Sequence, residues 1–204
     1  MRQPLQKTVF RRGEVDSGHP DLRESELKGP QPDAAQQRRR IELSASERHP
    51  PIVGSPLVLH WADENATRAF AQGLAANPAI ARAFIELRGE LGTGKTSFVR
   101  HLLRALGVAG RIKSPTYTVV EPYETPALAI WHFDFYRFED PREWEDAGFR
   151  DVFAQPGLKL AEWPEKAAGL LPRPDLVLAI EVQEDEGRRV RATPLSATGA
   201  ELLA

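Results

Sequence analysis

Eight consecutive residues, Gly89, Glu90, Leu91, Gly92, Thr93, Gly94, Lys95 and Thr96, set two glycines separated by four residues ahead of a lysine and a hydroxyl. That combination suits a phosphate cradle. Glycines let the chain turn its backbone N–H groups toward phosphate oxygens, and a helix starting there adds partial positive charge. Lys95 has the reach and charge for β- and γ-phosphates, and the Thr96 hydroxyl is a candidate Mg²⁺ ligand.

Phosphoryl chemistry also needs carboxylates, and in open α/β sheets these stand where strands end at the ligand crevice. Asp134 ends the apolar run Leu128-Ala-Ile-Trp-His-Phe133 and is the candidate for holding Mg²⁺, with a plain polar residue on a strand face as the alternative. Glu162 follows Leu158-Lys-Leu-Ala161 and could orient or polarise an attacking water, although Glu162-Trp-Pro-Glu165 also reads as a helix start with Glu162 as its cap. Thr96, Asp134 and Glu162 are thus the candidate metal ligands, and Glu162 and Lys95 the candidate catalytic pair. Between them, Ser114-Pro-Thr-Tyr117 offers the hydroxyls of Ser114 and Thr116, where nucleoside triphosphatases often carry a segment that senses the γ-phosphate. By itself that string reads first as an ordinary turn. The five histidines show no paired metal spacing and read as structural or exposed.

The elements around these residues have the periodicities needed to position them. Ala83–Leu87 reads as a strand feeding the glycine loop, and Ser97–Leu106 as the helix leaving it. Upstream, Leu57–His60 reads as a strand. Asp63 caps a helix to Leu74, with Ala66, Phe70 and Leu74 at helical spacing and Asn77-Pro78 as its stop. Tyr117–Tyr123 and Ala127–Phe133 read as a hairpin about Glu124-Thr-Pro126. A helix over Pro141–Ala147 and strands over Leu158–Ala161, Asp175–Val182 and Arg188–Ala192 follow, the last two joined through Glu186-Gly187. Strands alternating with helices predict the α/β class with a mixed, mostly parallel sheet and helices on both faces, and the glycine loop between strand and helix marks it as a three-layer P-loop NTPase fold.

The 204 residues, 41% of them hydrophobic, suffice for one substantial domain, expected over residues 56–204. Residues 1–55, rich in Arg, Glu, Gln, Pro and Ser, keep no period and are expected to be a disordered tail of mixed charge. A net charge of -2 offers no global basic field for autonomous nucleic-acid binding. The absence of cysteine excludes disulfides, thiol nucleophiles and thiolate metal sites. No run reaches membrane-spanning length and no signal-like segment opens the chain, so no membrane association and a cytoplasmic location are expected.

Taken in order and spacing, Gly89–Thr96, Lys113-Ser-Pro-Thr-Tyr117, His132-Phe-Asp-Phe-Tyr-Arg137 and Glu162-Trp-Pro-Glu165 strongly resemble the TsaE family. Its members are bacterial ATPases needed to make threonylcarbamoyladenosine in tRNA. The resemblance runs from about Leu57 to the C-terminus and implies ATP and Mg²⁺ as ligands. It further implies that Lys95 binds phosphate, Thr96 and Asp134 organise Mg²⁺, Glu162 supports hydrolysis, and the Ser114–Tyr117 loop acts as a switch. The implied partners are TsaD and TsaB, which together transfer the threonylcarbamoyl group to the adenosine beside the anticodon, at position 37, so that tRNA is met only through that complex. The 17 basic and 21 acidic side chains of residues 56–204 agree with a protein partner better than with a tRNA surface of its own. The long tail departs from the family's compact form. Two rival readings share the cradle. A small-molecule P-loop kinase should bring an Arg-rich lid, and no compact cluster follows the second strand. A guanine-nucleotide regulatory module should, by resemblance, carry Asn-Lys-x-Asp, and neither Asn65 nor Asn77 begins one.

Overall fold

The computed structural model describes residues 53–140 and 142–204, so the tail expected over residues 1–55 falls, up to residue 52, outside the described residues. Seven strands form one sheet: β1 (Leu57–Trp61), β2 (Phe84–Arg88), β3 (Val120–Glu124), β4 (Ala129–Asp134), β5 (Leu158–Glu162), β6 (Leu176–Val182) and β7 (Arg188–Pro194). Their order is β1-β7-β6-β2-β5-β4-β3. The central strands β6, β2, β5 and β4 run parallel. Antiparallel pairs complete both margins, β7 on β6 and β1 on β7 at one side, β3 on β4 at the other. The central strands read as near-continuous apolar runs because both their faces are covered.

One face carries α1 (Glu64–Ala76) and α2 (Lys95–Ala105). Asp63 caps α1 by accepting from Ala66 N at 2.8 Å, and Asn77 both stops that helix and caps the 3-10 turn Pro78–Arg82. Leu74, Phe98, Val99, Leu102 and Leu103 from these helices close over Ile85, Leu87, Leu160 and Leu178 of the sheet. The other face is built from aromatic side chains. Phe84, Phe133 and Phe135 of the sheet side pack with Trp144 of α3 (Arg142–Asp146) and Phe149 of α4 (Phe149–Ala154). α5 (Ala197–Leu202) starts behind Ser196, whose hydroxyl accepts from Gly199 N at 3.1 Å.

Two local expectations need correction, and two helices went unread. The strand expected from Tyr117 begins only at Val120, because Pro115 O accepts from both Thr118 N and Val119 N and holds the β-branched run in a turn. The glycine-loop helix begins two residues before Ser97, at Lys95, which places Lys95 and Thr96 in its first turn. The six-residue helices α4 and α5 were not legible as helices, being too short to display a helical period. No described helix is long and apolar enough to cross a membrane.

Candidate functional site

The site lies at the C-terminal ends of the parallel strands, around the loop between β2 and α2. Gly89 leaves β2 with φ 141°, and a Cβ there would fall 2.3 Å from Ile180 O, so glycine alone lets the loop pass so close to β6. Gly94, at φ 104°, is the N-cap of α2 and provides no side-chain cap. The N–H groups of the first helical turn therefore keep the role that a phosphate can satisfy. Leu91 stands at the loop's tip, 74% exposed.

Lys95 is buried. Its ammonium donates to Gly89 O at 2.5 Å and Glu90 O at 2.8 Å, and sits 4.0 Å from the centre of the Trp163 ring. Desolvation pushes its pKa below the ordinary lysine value, while the charges of Glu162, Glu165, Asp134 and Glu90 pull in the opposite direction.

Strand periodicity explains how the two carboxylates reach the same loop. Ile130, His132 and Asp134 share one parity on β4, as do Leu158, Leu160 and Glu162 on β5, and Ile130, Leu158 and Leu160 belong to the core beneath α1 and α2. Parallel register then sets Asp134 directly beside Glu162. Both are buried. Glu162 Oε2 accepts from Thr96 Oγ1 at 2.8 Å, and Oε1 accepts from His132 Nε2 at 2.8 Å. Asp134 Oδ2 accepts from Thr116 Oγ1 at 2.7 Å and Ser114 Oγ at 3.3 Å, and Oδ1 accepts from Tyr136 N at 3.1 Å. The Ser114–Thr116 loop is thereby tied to one carboxylate and the start of α2 to the other. Val119, a β-branched residue at φ 64°, joins that loop to β3 and gives its carbonyl to Asp134 N at 2.9 Å. Trp163, at φ 56°, turns the chain after Glu162 into the 3-10 helix Pro164–Ala167. Left-handed backbone at non-glycine residues is strained and concentrates at functional sites.

A cleft of about 330 Å³ joins these groups, with Gly94, Lys95, Thr96, Thr116, Asp134 and Glu162 among its lining. Leu91, Gly92 and Ser114 line it as well, whereas Gly89, Glu90 and Thr93 do not. Gly89 and Glu90 instead supply the carbonyls that hold Lys95. Thr93 faces a second hollow of about 240 Å³ across the loop, floored by Trp61 and bounded by Asp63, Thr67 and Arg188.

Two contributors went unread in the sequence. His132, treated with the other histidines as structural or exposed, is fully buried against Glu162. The signal that could have found it is its parity with Asp134 on β4. Arg188 Nε donates to Thr93 O at 2.9 Å and fastens the β6–β7 hairpin to the glycine loop, a contact no local pattern announces. Tyr136 and Trp163 pack ring against ring at 5.1 Å beside the cleft.

The donor set fits a magnesium ion. Thr96, Asp134 and Glu162 offer hard oxygen ligands, and among the described residues no group of three His, Asp or Glu forms an all-protein cage. Mg²⁺ is usually held in this way, by one or two carboxylates together with substrate phosphates.

Comparison with known proteins gives a concordant picture. Residues 61–190 match the model of the family described as threonylcarbamoyl adenosine biosynthesis protein TsaE. A Haemophilus influenzae protein of that description is 45% identical over 101 residues, 50% of this chain, and the match spans 64% of the relative, under two thirds of its length. A Rickettsia bellii counterpart is 32% identical over 145 residues, covering 70% of this chain and 96% of the relative. Among solved structures, Bacillus subtilis YdiB superposes with a TM-score of 0.58 at 26% identity, covering 73% of this chain and 92% of that one.

Proposed function

The chain belongs to the TsaE family, matching its model over residues 61–190, and from that premise we propose that it is an ATPase serving threonylcarbamoyladenosine modification of tRNA. The observation that carries the reading is the convergence of Thr96, Asp134 and Glu162 on one cleft beside the uncapped start of α2.

In this reading the N–H groups of the glycine loop and the Lys95 ammonium hold the β- and γ-phosphates of ATP. Thr96 and Asp134 hold Mg²⁺, which when bound neutralises charge on the phosphate oxygens. Glu162 orients the attacking water from the floor of the cleft, where exclusion of bulk solvent strengthens its hydrogen bonds. Ser114 and Thr116, bonded to Asp134, couple the loop before β3 to whatever occupies the cleft. The second hollow lies on the β1 and β7 side of the loop, away from Asp134 and Glu162. The partners are TsaD and TsaB, with tRNA met through them, and the setting is the cytoplasm.

Phosphate release from ATP, measured with and without TsaB and TsaD, tests this. Mg²⁺-dependent release that rises when the partners are added is the expected result. Nucleotide binding without release in either condition would leave a regulatory binding module in place of an ATPase.

A further inference from the structure

Glu162 is gripped at both oxygens, and the two grips differ in kind. Thr96, at the start of α2, lines the cleft, whereas His132 lies beneath it, fully buried on β4, with Glu162 only 2% exposed. A carboxylate in this pair accepts, so the ring proton sits on Nε2 and Nδ1 is left as a lone-pair acceptor. That Nδ1 is buried and has no hydrogen-bond partner. An imidazole with one nitrogen unpaired is an expensive occupant for a position between Ile130 and the cleft. Its placement is better accounted for by what Nε2 does.

We propose that His132 is a positioning residue: its Nε2–H fixes Glu162 Oε1 so that Oε2 faces Thr96 and the cleft. Without that anchor, Thr96 alone holds the carboxylate, and its broad terminal torsion is less restrained. The effect falls on turnover and leaves phosphate binding alone, because Lys95 and the loop N–H groups do not touch His132. The proposal rests on the ATPase reading above.

The test uses the full chain in the partner-supplemented assay, with calorimetric nucleotide affinity and thermal unfolding measured alongside. His132→Leu removes the donor and keeps apolar bulk; His132→Gln keeps an N–H donor at similar reach. The leucine variant is expected to lower kcat by roughly 10- to 100-fold, with nucleotide affinity retained, and the glutamine variant to recover much of that loss. In a Glu162→Gln background, His132→Leu should add nothing, since the group it positions is already gone. Should the leucine variant fail to fold, the glutamine variant in the same cycle decides alone: a kcat decrease that disappears in the Glu162→Gln background supports the proposal. The proposal is overturned if leucine leaves kcat unchanged, if both variants lose kcat equally, or if the losses multiply with Glu162→Gln. A wild-type chain that releases no phosphate overturns the ATPase reading together with this one, whereas active wild type with unaffected His132 variants overturns this one only.

Discussion

Lys95 and the two carboxylates divide the work of the cleft in ways that single substitutions can separate. Lys95 is a cation buried among backbone carbonyls and four acidic neighbours, and a phosphate would offer it stronger partners than those carbonyls do. Lys95→Ala should weaken nucleotide binding by roughly 10- to 100-fold. Titration calorimetry reads this directly, and near-wild-type affinity would mean that the loop is not the phosphate cradle. Asp134 and Glu162 stand side by side in register, yet their partners differ: the hydroxyls of Ser114 and Thr116 for one, Thr96 and His132 for the other. A metal-ordering group acts on the bound ground state, and a water-orienting group acts mainly in the transition state. Asp134→Asn should therefore lower Mg²⁺-dependent nucleotide affinity by about 10-fold or more. Glu162→Gln should leave ATP bound while slowing hydrolysis by roughly 100-fold. Equal hydrolysis rates for wild type and Glu162→Gln would mean that another residue orients the water.

At the scale of elements, the site depends on how closely β4 and β5 approach. Gly157 precedes β5 at φ 135°, and a Cβ there would meet Ala129 O at 2.5 Å and the Trp131 ring at 2.6 Å. Gly157→Ala must both strain the backbone and push the start of β5 from β4, at a cost of about 2 kcal/mol or more, a fall of roughly 4–8 °C in the unfolding midpoint. Gly73 is the opposite case, inside α1 with open space where a Cβ would go. Gly73→Ala should raise stability by up to about 1 kcal/mol. Thermal denaturation followed by circular dichroism compares the two, and a Gly157→Ala protein as stable as wild type would show that the β4–β5 approach has slack. The strand-and-helix alternation around the glycine loop was legible because each element there is long enough to complete its period. The Thr116–Val119 turn was not, since its β-branched residues favour a strand locally and only the carbonyl of Pro115 redirects them.

At the scale of the whole molecule, the described residues contain the complete seven-stranded sheet and a packed core on each face. A chain beginning near Ser55 should therefore fold with an unchanged unfolding midpoint and bind nucleotide as the full chain does, which calorimetry and thermal melts together check. Loss of either property would make residues 1–54 part of the domain. The same scale decides how the two ends of the sheet meet the loop. β6 and β7, last in the chain, lie between β1 and β2, so Arg188 reaches Thr93 across 95 positions of sequence.

The sequence by itself determined the glycine loop, the strand and helix flanking it, and the identity of Asp134 and Glu162 as strand-end carboxylates. These are written in local order, where residue type and a period of two or 3.6 fix backbone direction within a few positions. Tertiary structure alone decided which side chains those carboxylates meet. Strand order set β4 beside β5 and β5 beside β2, register set Asp134 beside Glu162, and pleat parity turned His132 inward to Glu162. Such contacts join segments far apart in sequence, 28 residues for Asp134 and Glu162 and 66 for Thr96 and Glu162. Local propensity has no means of specifying a pairing of that range, because it is chosen by burial of the whole sheet.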